Sequence, residues 1–258
     1  MRPDDQEIQL PGGSSGGAVR VGSTVRRRTG PWTPAVHALL GYLEGRVPGI
    51  PRVLGHDEQG RESLSYLPGR VVDGDAALLS PGQIVSLARW IRSFHRAVAG
   101  FGHPGPWRFF PVARPCLIGH NDIAPYNLCF AGDQIAGVFD WDLSGPSTPL
   151  LELAFVAWNS VPLWRDIGTR SAAARLGLIA SAYGGLEPAE ILHAVPDRIQ
   201  RMLDWIPVAA AAGDQGMATA MSAGEPGLSG AALADLITRI PAIDRALAQV
   251  AGRSAPLG

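Results

Sequence analysis

Between residues 117 and 142 lie two short apolar runs, "LIGHNDIAPYNLCF" and "QIAGVFDWD". His120, Asp122 and Asn127 interrupt the first, and Asp140 and Asp142 close the second. Short apolar runs bounded by turn residues predict buried strands. The turn-like "AGDQIAG" between them predicts a hairpin. Such a hairpin brings Asn127 and Asp140 within reach of a common point. A carboxylate and an amide oxygen are hard ligands suited to Mg²⁺, which takes few protein ligands and completes its shell with phosphate oxygens and water. Asp122 then stands beside the metal, free to accept or orient a hydroxyl proton. Phosphoryl transfer from a nucleotide requires this arrangement: positioning, charge neutralisation and an aligned nucleophile. The same acids with His120 also permit a second chemistry, metal-dependent hydrolysis.

The chain around this segment divides in two. Before residue 69 it reads as strands and turns with one helix. "EIQL" is a short strand, "AVRV" and "STVRR" form a hairpin about Gly22, and "PRVLGHDEQGRESLSYLPG" forms another with its turn at "DEQG". "TPAVHALLGYLE" has helical apolar spacing, with Thr33 as N-cap and Pro34 behind it. After Gly69 the chain turns mostly helical. Ser80 and Pro81 open an amphipathic helix, "PLLELAFVAWNSV" is apolar nearly all round, and helical patterns return at 171–183, 187–212 and 231–250. Pro196, Pro207 and Pro241 are expected to kink, break or begin helices, and "GDQGMATAMSAGEPGLSG" to form a loop or lid. The expectation is an α+β, bilobal molecule: residues 1–69 a small β-rich lobe ending in a connector, residues 70–258 a larger helical lobe, with the 117–142 segment facing the cleft.

Composition narrows the partners. The 258 residues are 46% hydrophobic and 17% charged with a formal net charge of −1, a folded chain with no electrostatic reason to bind nucleic acid or an anionic membrane. No apolar stretch reaches the roughly 20 residues that span a bilayer. With only Cys116 and Cys129, read as buried free thiols rather than a disulfide, the expected location is the cytoplasm. All 22 basic residues counted as Lys+Arg are arginine, so any task that usually falls to lysine falls here to arginine or to nothing.

"HNDIAPYN" followed by "VFDWD" resembles the signature of the aminoglycoside phosphotransferase family, relatives of choline and protein kinases. "VRVGSTVRR", "LSYLPG" and "PLLELAFVAW" fit the same pattern. The resemblance implies a protein-kinase-like fold and transfer of the γ-phosphate of ATP or GTP to a hydroxyl of a small molecule. It makes Asp122 the catalytic base, Asn127 and Asp140 the Mg²⁺ ligands, and His120 a loop-shaping residue. "PGGSSGG", with Gly13 and Gly16, can cover phosphates with backbone N–H groups. Arg26 matches the family's phosphate-binding lysine, with Arg27 as the alternative, and only one of the two can point into the cleft. Ser65 and Leu67 of the connector would meet the nucleobase through backbone atoms.

Four departures accompany the resemblance. Arginine replaces the lysine. The helix glutamate that usually pairs with it has no clean counterpart, Glu44 lying two turns too late. Asn121 stands where glycine is usual, and Glu152 where aspartate is usual. The departures leave room for a kinase-like binding protein without turnover. The acceptor is expected against the helical lobe, where the acids are scattered and Trp158, Trp164 and Trp205 can wall a pocket or fill the core.

Overall fold

The computed structural model describes residues 6–10, 17–74 and 77–254. The first part is a five-stranded antiparallel sheet of order β1-β2-β3-β5-β4, formed by β1 (Glu7–Gln9), β2 (Val19–Val21), β3 (Thr24–Arg27), β4 (Val53–His56) and β5 (Glu62–Ser65). Both expected hairpins form. Gly22 turns the first at φ 57°, and the Asp57 carboxylate closes the second by accepting from the Gln59 and Arg61 amides. Helix α1 (Thr33–Leu43) buries Val36, Leu39, Leu40 and Leu43. Its N-cap is Trp32, not Thr33, whose hydroxyl reaches back to the Gly30 amide at 2.9 Å.

A short strand, β6 (Arg70–Val71), leads to α2 (Pro81–Val98), where Ser80 and Gln83 form a reciprocal capping box. Next come β7 (Leu117–Gly119), β8 (Leu128–Ala131), β9 (Gln134–Val138) and β10 (Gly145–Ser147). β8 and β9 are the expected hairpin, β6 pairs with β8, and β10 pairs back onto β7. The helices α3 (Pro149–Ser160), α4 (Thr169–Tyr183), α5 (Pro188–Ala211), α6 (Gln215–Ser222) and α7 (Gly227–Ser254) complete the chain. Among the described residues, no helix is long and apolar enough to cross a membrane.

Three expectations are corrected. α5 and α7 run unbroken through Pro196, Pro207 and Pro241. An interior proline costs about 3 kcal/mol, but α5 buries Ile191, Leu192, Val195, Ile199, Leu203 and Ile206 along one stripe, and that burial outweighs the loss. The expected loop after Ala212 is mostly α6 and the start of α7: Asp214 caps α6 by accepting from the Met217 amide. Of its glycines, Gly213 and Gly224 take positive φ, while Gly216, Gly227 and Gly230 lie in helices. Finally, Cys129 is a buried free thiol as expected, but Cys116 is free and exposed.

The main hydrophobic core runs through the molecule, joining Leu39 and Leu43 of α1 to Leu87, Ile91 and Phe94 of α2, Leu128 and Val138 of the hairpin, and Leu153 and Ile199 beyond. The 117–142 segment lies across this core, so its polar groups are held by a rigid floor.

Candidate active site

β7 carries the chain out of the core and into the loop. Gly119 permits a close approach there: a Cβ on it would stand 2.7 Å from the Glu152 carboxyl carbon. Glu152, on the first turn of α3, accepts from the Asn121 amide at 2.5 Å and lies 2.9 Å from His95 Nε2. Burial alone would raise its pKa, but His95 and the Asn121 amide hold the carboxyl below its usual range. Glu152 therefore anchors the loop as a carboxylate, one methylene longer than the usual aspartate.

Asn121 has φ 64°, the left-handed region that glycine enters freely and asparagine tolerates. Its side chain donates to Leu143 O and Gly145 O, each at 3.2 Å, tying this loop to the turn after Asp140. The buried His120 donates from Nε2 to Phe139 O at 3.1 Å and accepts the Asp122 amide at Nδ1, 3.2 Å. Burial depresses its pKa, so the ring stays neutral in the one tautomer that satisfies both bonds. Its role is to hold the backbone of both segments.

Asp122 is half-buried. Its Oδ2 accepts from Asn127 Nδ2 at 2.8 Å and its Oδ1 from the Tyr126 hydroxyl at 3.1 Å. Burial, and then the nearby Asp140 carboxylate, push its pKa up to about 7, against the pull of Tyr126, Asn127 and Arg198. A base poised near neutrality is suited to accepting a hydroxyl proton. Asn127 also donates to Asp122 O and accepts the Phe139 amide on its own carbonyl at 3.0 Å. The backbone therefore delivers Asp140 next to the Asp122–Asn127 pair. Asp140 has φ 59° and is followed by a 3-10 turn at Trp141–Leu143.

The positive charge at this site is Arg27. It reaches Glu62 Oε1 at 2.5 Å, Asp140 Oδ1 at 2.7 Å, and Asp142 Oδ1. Burial opposes the charge, but the three carboxylates hold it and raise the guanidinium pKa. The same pairing holds Asp140 below the usual carboxylate range although burial works the other way. Asp142, deeper and beside Asp140, is pushed up to about 6 by burial despite Arg27. Arg26 points to the other side of the strand, its nearest acid Asp57 at 3.9 Å. Strand alternation thus gives the cleft to Arg27 rather than to Arg26.

The partner of this arginine comes from β5, not α1. Glu62 faces Arg27 across the β3–β5 ladder and is 1% exposed. Its Oε2 lies 2.7 Å from His37 Nε2, and His37 is on α1. His37 and Arg27 keep its pKa low against burial. α1 thus contributes a histidine, His37, that holds the strand glutamate. The signal lay in β5, where Glu62 and Leu64 alternate inward between serines.

Two further arginines border the site and were not anticipated. Arg108 grips Asp214 with two 2.7 Å bonds, lies 3.6 Å from Asp142, and covers the Trp32 ring at 4.5 Å. Arg198, fully buried on α5, donates to Asn121 O at 2.9 Å. Its Nε and Nη1 have no hydrogen-bond partner, and the rings of Phe155, Phe109 and Phe110 lie 4.4–5.3 Å away. Burial lowers its pKa to about 10.

Of the other expected residues, Gly13 and Gly16 lie outside the described residues. The Ser65 amide is committed to Arg52 O at 2.9 Å, and its hydroxyl accepts the Arg52 amide at 2.8 Å. That amide is therefore spent on sheet pairing and does not serve as a free donor to a base. Leu67 packs against Gly137 and Cys129.

The donor set fits a hard cation. Asn127 commits its NH₂ to Asp122, which leaves Oδ1, and Asp140 retains Oδ2 beyond its bond to Arg27. Among the described residues, no three His, Cys, Asp or Glu side chains are arranged to hold a metal ion. A cation here would draw its other ligands from phosphate and water, as Mg²⁺ does, and the metal-hydrolase reading lacks its ligand set.

Fold and site together have the layout of a kinase-like phosphotransferase. Residues 110–192, which include Asp122, Asn127, Asp140 and Glu152, match the model of the phosphotransferase enzyme family. The trifolitoxin immunity protein of Rhizobium leguminosarum bv. trifolii is 33% identical over 184 residues, 67% of this chain and 68% of the relative. Among solved structures, the GDP complex of wild-type aminoglycoside 2'-phosphotransferase-IIIa superposes with a TM-score of 0.58 at 14% identity, covering 91% of this chain and 94% of that one. A choline/ethanolamine kinase family protein from Mesorhizobium loti gives 0.58 at 18% identity, over 94% and 91%. The chain belongs to the phosphotransferase enzyme family and has its protein-kinase-like fold.

Proposed function

We propose that the protein transfers the γ-phosphate of ATP or GTP to a hydroxyl of a small molecule, with residues 1–69 as the nucleotide lobe and 70–258 as the catalytic and acceptor lobe. The observation that carries this reading is the Asp122 carboxylate, near neutrality in pKa, bonded to Asn127 and adjacent to Asp140. Asp122 is the base that orients and deprotonates the acceptor. Asn127 and Asp140 would hold Mg²⁺, which supplies charge neutralisation at the phosphates. Arg27 takes the phosphate-facing role of the family's lysine, and its planar fork can grip a phosphate through two parallel bonds. The test is nucleotide consumption across a panel of hydroxylated antibiotics and metabolites. Asp122→Ala is expected to abolish it with the fold intact, and unchanged turnover would exclude the assigned base.

A specific observation favours a second reading, nucleotide binding with little turnover: Arg27 already bonds both Asp140 and Asp142. The relative named for immunity to trifolitoxin is compatible with either protection by modification or protection by binding. Mg–ATP that raises the melting temperature with no turnover on any acceptor would select the second.

A further inference from the structure

At the far end of β7 from the catalytic loop, a cavity of about 400 Å³ opens between α2, the end of α4 and the start of β7. Arg92, Arg96, His95, Tyr183, Cys116 and Leu117 line it. Arg92 and Arg96 stand one turn apart on α2, a like-charge pair that an isolated helix disfavours. Among the described residues, neither has a hydrogen-bond or ion-pair partner, although elsewhere in the chain arginines such as Arg27, Arg61 and Arg108 are each held by carboxylates. Both guanidinium charges act on the Tyr183 hydroxyl, whose pKa burial raises and they lower. Gly184, at φ 78°, leaves room for the Arg92 guanidinium: a Cβ there would meet its Nη1 at 2.8 Å. The rest of the lining is partly apolar: Ala99, one turn beyond Arg96 at the end of α2, with Leu117 and Pro149 from the elements facing it.

The cavity is wired to the catalytic loop. The Tyr183 hydroxyl lies 2.9 Å from His95 Nδ1, His95 Nε2 2.9 Å from Glu152, and Glu152 accepts the Asn121 amide next to Asp122. Tyr183, His95 and Glu152 are all at least nine-tenths buried, so a displacement of the tyrosine hydroxyl has no water to absorb it.

We propose that this cavity is a second ligand site for a small organic anion, a phosphate or carboxylate head on an apolar body, and that its occupation is transmitted through Tyr183, His95 and Glu152 to the backbone at Asn121. The head would bridge the two guanidiniums and the body would lie on Leu117 and Pro149. The site does not depend on the nucleotide reading above.

Calorimetric titration of the full chain with phenyl phosphate, benzoate, inorganic phosphate and phenol, with and without saturating Mg–ATP, tests it. Saturable one-site binding of phenyl phosphate or benzoate is expected in both conditions, with phenol silent; which anion binds tighter identifies the head group. Arg92→Ala with Arg96→Ala is expected to weaken binding at least tenfold. Ala99→Glu, which places a carboxylate before the arginines at an exposed position, should do the same with the fold intact. Binding that Mg–ATP abolishes would belong to the nucleotide cleft and overturn the proposal, as would affinity unchanged in both variants. Hydrogen exchange at the Asn121 amide should slow on saturation in the wild type but not in His95→Leu. Unchanged exchange in the saturated wild type would sink the coupling.

Discussion

At the level of single residues, the site is a set of buried charges whose protonation states depend on one another. Asp122 titrates near 7 in the folded protein, against an ordinary value near 4. Between those limits the folded chain binds a proton that the unfolded chain has released, so this group's contribution to stability falls as pH rises from about 4 to about 7. Asp122→Asn removes that term. Its melting temperature relative to the wild type should climb across this window, by the equivalent of roughly 2–4 kcal/mol at pH 8, as scanning calorimetry over pH would show. Its phosphoryl transfer should fall by about 10²–10⁴-fold. Arg198 draws the same carboxyl downward. Arg198→Met is therefore expected to move the acidic limb of the rate profile to higher pH, a shift that a purely structural role would not produce. Asn127 and Asp140 were legible together because they flank one hairpin, and Asp122 because it lies five residues before Asn127 in the same loop. Arg27 was ambiguous because one residue of strand register decides which arginine turns inward. Glu62, 35 residues from Arg27, and Asp214, 106 residues from Arg108, were invisible because nothing local marks a pairing made by the fold.

Elements were read well where their ends carry side-chain chemistry. Ser80 and Pro81 announce α2, where the structure adds Gln83 to the cap, and the hairpin turns at Gly22 and Asp57 are equally plain. Reading failed where glycine and proline were taken as breakers regardless of packing. α6 exists because Asp214 caps it and because Arg108 holds that cap in place from another part of the chain. Asp214→Ala removes both interactions and leaves Arg108 facing Asp142 alone. We expect a loss of about 2–4 kcal/mol, with hydrogen exchange accelerated first in α6. Arg27→Ala should cost more, about 3–5 kcal/mol, since it strands two buried acids, Glu62 and Asp142, beside the part-exposed Asp140. Urea titration measures both, and Glu62→Gln in the Arg27→Ala background should recover part of the loss.

The molecule as a whole has one main core beneath two differently built parts, with a small satellite cluster at Ile206, Ala209 and Met217. Leu39 and Leu43 of the first share that core with Phe94 and Leu128 of the second. Far-ultraviolet dichroism and tryptophan fluorescence should accordingly report coincident urea transitions. Two separated transitions would show that the sheet melts alone. The bilobal outline was evident from the change in pattern at Gly69. The continuity beneath it was not, since α1 reads as part of the first lobe yet packs against both, meeting β4 on one side and the Trp141–Leu143 turn on the other.

On the proposed reading, the chain places a guanidinium, pinned by three carboxylates, where the family it resembles is expected to carry a lysine amine. Arginine held in this way keeps its proton and offers no lone pair to an electrophile. Nucleotide analogues that mark their targets by acylating a neighbouring primary amine would therefore leave this cleft unlabelled even when fully occupied. A proteome survey built on such reagents would pass over this chain and any relative that has made the same exchange.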